Sequence, residues 1–311
     1  MNLSQQKDIF EIRNVQSDKI PEAVKLGAMD QIFNYTIGFV LRDNLLGSGT
    51  LTSYEGRYGI ITANHVAKEV FAATDGEVAI LIAKSPHRRG INPMHFEHLV
   101  IGSPEHAGDW KPDLSFICIR DQDLLGTLNS MKSFYDIGPG RNGLAYFDCN
   151  RRNEFWWFIS GYPSVFRDDK ILSTGERIAS AKNFIGEAEY LDCYKLDWFD
   201  YLKLNLDAGA SSFPNCYGGV SGGGIWMVPL VAESDVGVSS PRPYWFLAGV
   251  CCYQGALEAS HRVIEGHGPN SLYERLRDAL EKEAETHASS TRAVSSRPRR
   301  AARARTRRPG G

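Results

Sequence analysis

A serine between glycines is the residue of this chain best suited to nucleophilic chemistry. It is Ser221, in the stretch Cys216-Tyr217-Gly218-Gly219-Val220-Ser221-Gly222-Gly223-Gly224-Ile225-Trp226. Glycine is used where the backbone takes a positive φ or comes close to another group. A hydroxyl flanked in this way is exposed, and the neighbouring N–H groups are free to face a substrate, as an acyl-transfer nucleophile and its oxyanion hole require. The alternative interpretation is a glycine-rich turn between two strands.

A serine hydroxyl is a poor nucleophile on its own and needs a base, normally a histidine that a buried carboxylate orients. His65 follows a β-rich segment at residues 59–62, and Asp113 precedes another at residues 114–119. Asp109 is a rival to Asp113, although it lies less well at the start of a strand. Three residues of the required types, each at a strand end, favour a Ser-His-Asp triad.

Short segments rich in β-forming residues fill the first half of the chain. They cover residues 37–41, 49–53, 58–62, 78–83, 98–101 and 114–119, and turns at Asn44, Gly47 and Glu55-Gly56 separate the first three. This pattern predicts six short strands in a small antiparallel barrel or sandwich. Residues 121–153 are poorly patterned and predict a crossing between two halves.

A second series of strands follows at residues 155–160, 201–206, 225–230 and 245–253, with the strands between 165 and 200 left open. Leu202, Leu204 and Leu206 alternate with polar residues, which is typical of a half-buried strand. Near the end, Ser271 and Glu274 predict a capping box that opens a helix over residues 271–284.

These motifs resemble the three signatures of chymotrypsin/trypsin-like serine proteases, in the order His, Asp, Ser. They are Thr62-Ala63-Asn64-His65-Val66, Asp113-Leu114-Ser115-Phe116 and Gly219-Val220-Ser221-Gly222-Gly223. Gly47-Ser48-Gly49-Thr50, Gly161-Tyr162-Pro163 and Leu247-Ala248-Gly249-Val250 are also similar to that family, most of all to its bacterial intracellular trypsin-like peptidases. The resemblance covers residues 33–283. It implies an all-β fold of two six-stranded antiparallel β-barrels with the active site between them and a C-terminal helix outside.

The resemblance implies a serine endopeptidase that acts on a protein or peptide through an acyl-enzyme, without a cofactor or a metal. Ser221 Oγ would attack a carbonyl carbon, and His65 would take its proton and pass it to the leaving group. Asp113 would hold the imidazole tautomer, and the N–H groups of Gly219 and Ser221 would form the oxyanion hole, a contribution of roughly 3–4 kcal/mol per donor.

Two departures from the family pattern bear on activation and specificity. Secreted trypsins carry an aspartate just before the serine, which pairs with a newly cleaved N-terminus, whereas this chain has Val220. The oxyanion loop must therefore be held by other contacts or ordered by an activating partner.

The second departure concerns substrate specificity. Asn215 stands where trypsin-like pockets place their base, and Cys252, Tyr253 and Gln254 form one predicted wall. We expect a neutral, small or apolar residue before the cleaved bond.

Two other functions compete with a serine endopeptidase. A protease fold retained as a catalytically latent or inactive binding scaffold would carry the same motifs. The serine motif also fits the G-x-S-x-G elbow of α/β-hydrolase esterases, with Asp235 and His261 as partners. That elbow leads into a helix, whereas Gly222-Gly223-Gly224 before Ile-Trp-Met-Val favours a strand.

Composition and charge place the chain among soluble cytoplasmic proteins. Residues 1–15 are polar and charged, no apolar run is long enough to span a bilayer, and the six cysteines lack metal-ligand spacing. The net charge is −2, yet residues 292–311 hold eight arginines and no acid. Such a tail could bind nucleic acid or an anionic surface, but we expect a solvated tail.

The domain organisation predicted from these patterns has three parts. Residues 1–30 form an N-terminal extension, residues 31–284 form the double-barrel domain, and residues 285–311 form a disordered arginine-rich tail. Within the domain, we expect the first barrel over about residues 31–120, the second over about 154–256, and the helix over about 271–284.

Overall fold

The computed structural model describes residues 22–42, 44–74, 77–82, 88–105, 109, 111–140, 155–171, 173, 177–208, 213–229 and 245–295. The predicted arginine-rich tail from residue 296 onward and the first 21 residues lie outside this range. The described residues are mostly β, as the sequence predicts. Among them, no helix combines the length and the apolar character needed to cross a membrane.

The first half forms one antiparallel sheet in the order β5-β4-β1-β2-β3-β7-β6, and the short strand β8 pairs in parallel with β2. These strands are β1 (Thr36–Leu41), β2 (Asn44–Tyr54), β3 (Arg57–Thr62), β4 (Val78–Leu81), β5 (Arg88–Ile91), β6 (Phe96–Gly102), β7 (Leu114–Ile119) and β8 (Tyr135–Asp136). The six segments predicted here all correspond to strands, and β5 and β8 are additional.

The predicted closure of this first sheet into a six-stranded barrel is wrong. Its end strands β5 and β6 are not paired with each other in the described part of the chain. β5 has a single buried residue, Ile91, so it offers little apolar surface to hold this edge against β6. The residues between the two strands instead form a tight turn, in which the Asn92 side chain accepts a hydrogen bond from the Met94 N–H at 2.9 Å.

The second half forms the closed six-stranded antiparallel barrel that the sequence predicts, in the order β12-β13-β16-β15-β14-β9. Its strands are β9 (Phe155–Gly161), β12 (Phe184–Leu196), β13 (Phe199–Asp207), β14 (Gly224–Pro229), β15 (Phe246–Glu258) and β16 (His261–His267), and β10 (Arg167–Ile171) and β11 (Arg177–Ala181) form a separate hairpin. Leu202, Leu204 and Leu206 are all buried, as their alternation predicts. β16 is a strand that the sequence pattern did not reveal.

Helices connect and flank the sheets: α1 (Glu22–Tyr35), α2 (Asn64–Ala72), α3 (Gln122–Met131), α4 (Ile137–Gly140) and α5 (Leu276–Ser295). α1 begins within the predicted N-terminal extension, and its Ala28 and Ile32 are fully buried. α5 continues to Ser295, into the residues that the sequence assigns to the tail. Three of the twelve residues at 284–295 are alanine, the strongest helix former.

A helical turn over Ser271–Arg275 leads into α5, and the buried Asp200 anchors the start of this turn. The Asp200 carboxylate accepts hydrogen bonds from the N–H groups of Asn270 and Ser271 at 3.0 and 2.6 Å. The Ser271 hydroxyl also bonds to this carboxylate, at 2.7 Å. A buried aspartate distant in sequence therefore satisfies the free N–H groups that a helix start leaves.

Three apolar cores hold the molecule together. One lies against the first sheet and one fills the closed barrel. The third joins the two halves to α1 and α5, through residues such as Ile32, Phe116, Trp226, Leu272 and Leu276. Residues at the junction of the two halves are therefore held on both sides by packed side chains.

Candidate active site

His65 lies in the first turn of α2, directly after β3. Val66, Ala67 and Val70 bury the opposite face of this helix against the first core, which fixes the helix in place. The His65 side chain is 54% exposed and faces the cleft between the two halves. The sequence located it correctly at a strand end but did not reveal the helix that follows.

Asp113 holds His65 through two hydrogen bonds. Its Oδ2 lies 2.6 Å from His65 Nδ1, and its Oδ1 accepts from the His65 backbone N–H at 2.9 Å. The two residues meet because β3 and β7 are paired neighbours, with Thr62 opposite Ser115. Asp113 is 7% exposed. A carboxylate at Nδ1 keeps the proton there and leaves Nε2 free to accept one, which is the tautomer that a general base needs.

A second histidine, His267, lies behind Asp113. Its Nε2 accepts a hydrogen bond from the Asp113 backbone N–H at 3.0 Å, and the residue is fully buried. Burial lowers the pKa of His267 to about 4, so it is neutral near pH 7. The sequence offered no signal for this residue, because its contact depends on β16 lying beside the start of β7.

Ser221 lies in the turn that leads into β14, and it is half-buried. It lines a cavity of about 340 Å³ together with His65, so the predicted nucleophile and base share one cleft. Within the described residues, the Ser221 hydroxyl makes no hydrogen bond to His65. Catalytic hydrogen bonds are often long until a substrate is in place. The turn continues into a strand rather than a helix, so the α/β-hydrolase elbow lacks its structural context.

Contacts with distant segments hold the peptide groups around Ser221. Gly219 has φ of 92°, a conformation that favours glycine. The Gly218 carbonyl accepts a hydrogen bond from Ser164 N–H at 2.7 Å, and because the peptide is planar this turns the Gly219 N–H the opposite way. Among the described residues, the N–H groups of Gly219 and Ser221 have no acceptor, whereas those of Val220 and Gly222 do.

Three of the four residues predicted to bind substrate line the cavity, and the fourth does not. Cys252, Tyr253 and Gln254 lie on its wall. Asn215 is exposed and lies outside the lining, and its carbonyl accepts a hydrogen bond from the Arg262 guanidinium at 3.2 Å. Asn215 therefore does not lie at the base of this cavity.

Gln254 connects two walls of the cavity. Its Oε1 accepts a hydrogen bond from the Tyr217 backbone N–H at 2.9 Å, and its amide nitrogen lies 3.5 Å from the Cys216 sulfur. The Gly218 N–H and the Gln254 side chain lower the pKa of the Cys216 thiol. Burial raises the pKa of Cys251 and of Cys252, so these two thiols stay protonated at neutral pH.

The described residues contain no group of three His, Cys, Asp or Glu side chains that could hold a metal ion. His95 and His98, whose spacing resembles that of metal ligands, contact different partners. His95 pairs with Asp121 at 3.3 Å, and His98 bonds to the Ser115 hydroxyl at 3.0 Å.

Comparisons with known proteins do not assign the chain to a family. No protein-family model matches it, and no curated protein matches it either. One solved structure similar to it comes from a study of how aromatic interactions drive the coupled folding and binding of the intrinsically disordered Sesbania mosaic virus VPg protein. The match covers 78% of this chain and 90% of that one, with 13% sequence identity and a TM-score of 0.41. A likeness this weak supports no conclusion about function.

Proposed function

We propose that this chain is a serine endopeptidase with a chymotrypsin-like arrangement of its two halves. The observation that carries the proposal is the pairing of His65 with Asp113 on the cavity that Ser221 also lines. The two free N–H groups of Gly219 and Ser221 support it, because a tetrahedral intermediate needs donors at that place. Each of these features alone could serve only to stabilise the fold. Their presence together at one cleft favours acyl transfer.

The reaction follows from the positions of these groups. The Ser221 oxygen attacks the carbonyl carbon of a peptide bond, and its proton passes to His65 Nε2. The negative charge that develops on the carbonyl oxygen is accepted by the N–H groups of Gly219 and Ser221. His65 then gives its proton to the leaving amine, which departs and leaves an acyl group on Ser221. A water molecule, deprotonated by His65, releases the acyl group as a carboxylic acid and restores the serine.

The substrate class follows from the cavity walls. No carboxylate lies among the residues that line the described cavity, so a preference for Lys or Arg before the cleaved bond has no partner there. Cys252, Gln254 and the buried ring of Tyr217 present neutral surface instead. We propose a neutral, small or apolar residue at that position, in a protein or peptide substrate. We also propose that the protein is cytoplasmic and that it belongs to the chymotrypsin/trypsin-like serine proteases.

The experiment is covalent labelling of the full-length protein with a fluorophosphonate probe, which bonds to an activated serine and releases fluoride. We expect one adduct, at Ser221, located by peptide mass spectrometry. It should be lost in Ser221→Ala and in His65→Ala. Ser164→Ala is the matched control, because it removes an exposed hydroxyl beside the cleft and keeps the backbone N–H that holds Gly218.

The same experiment separates the enzyme from a binding scaffold. A scaffold would leave Ser221 unlabelled while the wild-type protein and the Ser221→Ala variant kept the same fold and the same biological effect. Labelling of a different serine, with Ser221 unmodified, would contradict the proposed site. Incubation of the labelled and unlabelled proteins with a mixed peptide library then tests peptide-bond cleavage, since an esterase would label equally well but leave the library intact.

A further inference from the structure

The oxyanion loop, residues 217–222, is anchored by apolar packing and by the first half of the chain. Val220, which stands where secreted trypsins have an aspartate, is buried in the barrel core beside Tyr217. A valine cannot pair with a cleaved N-terminus. Whatever orients the peptide groups of this loop must therefore be a different contact.

Ser48, in the middle of β2, contacts the loop at two points. Its backbone N–H donates to the Ser221 carbonyl at 2.8 Å, and its hydroxyl donates to the Gly219 carbonyl at 2.7 Å. Gly219 and Ser221 are the two residues whose N–H groups form the proposed hole. These two carbonyls belong to the peptide groups that follow Gly219 and Ser221. Holding them therefore fixes the peptide group that leads from Gly219 to Val220 and the one that leads out of Ser221.

Ser48 is itself held rigidly. It is fully buried, its hydroxyl accepts a hydrogen bond from the Tyr162 N–H at 2.8 Å, and its carbonyl accepts from the Thr62 hydroxyl at 2.7 Å. Thr62 ends β3, which leads directly to His65. A single buried serine thus connects the strand that carries the base to the loop that carries the nucleophile.

The surroundings of Ser48 leave no room for another arrangement. A Cβ at Gly222 would lie 2.0 Å from the Ser48 carbonyl oxygen, and a Cβ at Gly161 would lie 2.9 Å from its hydroxyl oxygen. Contacts this close require glycine at both positions. Ser48 is therefore tightly packed at the junction between the two halves.

We infer that Ser48 is a positioning residue that keeps the oxyanion hole assembled in the intact chain, in place of an ion pair made by N-terminal cleavage. This inference rests on the proposed function, and it concerns how the site is regulated. It predicts that the uncleaved protein is already reactive. Loss of the Ser48 hydroxyl should weaken stabilisation of the oxyanion without closing the cavity.

The test measures how fast a fluorophosphonate probe labels Ser221 in the full-length protein, over a range of probe concentrations. For Ser48→Ala we expect the maximal labelling rate to fall roughly 10- to 100-fold, because the Gly219 carbonyl and the Tyr162 N–H both lose their partner. The half-saturating probe concentration should stay within about twofold, since the cavity wall is unchanged. Intact-mass analysis should find the wild-type adduct on the uncleaved chain.

Thr52→Val is the matched control. Thr52 is a buried hydroxyl residue in the same strand, and its Oγ1 has no partner within the described residues. In Thr52→Val, the probe should label Ser221 at the wild-type rate. A thermal melt of each variant separates positioning from folding: Ser48→Ala should be fully folded at the assay temperature.

Three results would overturn the inference while leaving the proposed enzyme intact. The first is a Ser48→Ala variant that is labelled at the wild-type maximal rate. The second is a wild-type adduct found only on N-terminally cleaved chains. The third is an equal fall in the labelling rate of Thr52→Val, which would show that the effect is not particular to Ser48. If wild-type Ser221 is never labelled, the proposed enzyme and this inference fail together.

Discussion

His267 accepts a hydrogen bond from the Asp113 backbone N–H at 3.0 Å, directly behind the carboxylate that holds His65. Only an unprotonated Nε2 can accept this bond. Burial is the largest cause of the lowered pKa of His267, while the Asp113 charge opposes it and the Lys111 charge adds to it. The backbone of Asp113 is therefore held by a histidine that must stay neutral.

The first prediction concerns acid stability. An unfolded histidine titrates near 6.5, and the folded value for His267 is about 4, so the unfolded state binds the proton first as the pH falls. Its contribution to the free energy of unfolding is complete above pH 6.5 and is lost progressively between pH 6.5 and 4, up to about 3 kcal/mol. Urea unfolding of the wild type at pH 7 and pH 4.5 measures this loss.

The variant His267→Gln should lose less stability over that interval, because glutamine keeps an acceptor for the Asp113 N–H but does not titrate. His261→Gln, which changes a half-exposed histidine in the same strand, is the control and should behave as the wild type. Equal losses in the wild type and in His267→Gln would contradict this account of His267.

The second prediction concerns the tautomer of His65. In Asp113→Asn the amide can donate to Nδ1, which moves the imidazole proton to Nε2 and removes the base. We expect the rate of fluorophosphonate labelling at Ser221 to fall by about 10⁴-fold. Asp109→Asn alters the exposed rival aspartate and should leave the rate unchanged. A loss smaller than tenfold in Asp113→Asn would mean that this carboxylate does not orient the base.

The third prediction concerns the Gln254 side chain, which connects two walls of the cavity. Gln254→Ala removes the acceptor of the Tyr217 N–H and enlarges the cavity. Cleavage after Leu or Phe should therefore rise relative to cleavage after Ala by roughly 10-fold. Gln254→Glu keeps the length and the acceptor, so its preference between Ala and Leu should match that of the wild type. An unchanged profile in Gln254→Ala would exclude this residue from substrate selection.

The fourth prediction compares two glycines with positive φ. Gly222 and Gly56 have φ of 89° and 79°, but a Cβ at Gly56 meets open space whereas one at Gly222 would meet the Ser48 carbonyl. Gly56→Ala should cost about 1 kcal/mol of unfolding free energy, from backbone strain alone. Gly222→Ala should cost several times more and abolish labelling of Ser221. Similar melting temperatures for the two variants would refute the tight packing around Ser48.

The candidate site illustrates what local sequence patterns can predict. Residues 59–62 and 114–119 are rich in β-forming residues, and this local composition is enough to locate His65 and Asp113 at strand ends. The glycines around Ser221 indicate its turn in the same way. Such features depend on neighbouring residues only, and the strand over residues 201–206 is predictable for the same reason.

The remaining parts of the site depend on contacts between distant segments. His267 meets Asp113 across 154 residues, and Ser48 meets Gly219 across 171. No periodicity encodes such contacts. The open edge of the first sheet could not be predicted either, because the length and spacing of its segments are compatible with a closed barrel. The structural feature that accounts for the unpaired edge is the sparse burial along β5.

The apolar core that joins the two halves has a consequence for protein synthesis. Leu272, Leu276 and Leu280, which follow Ser221 in the sequence, pack in this core with Trp226 and Phe116. A nascent polypeptide that still lacks these leucines cannot complete the surface on which its first and second halves meet. The surface that brings Ser221 and His65 to one cleft is therefore complete only after synthesis has passed residue 280, so a shorter nascent chain would lack the assembled site of the proposed hydrolase.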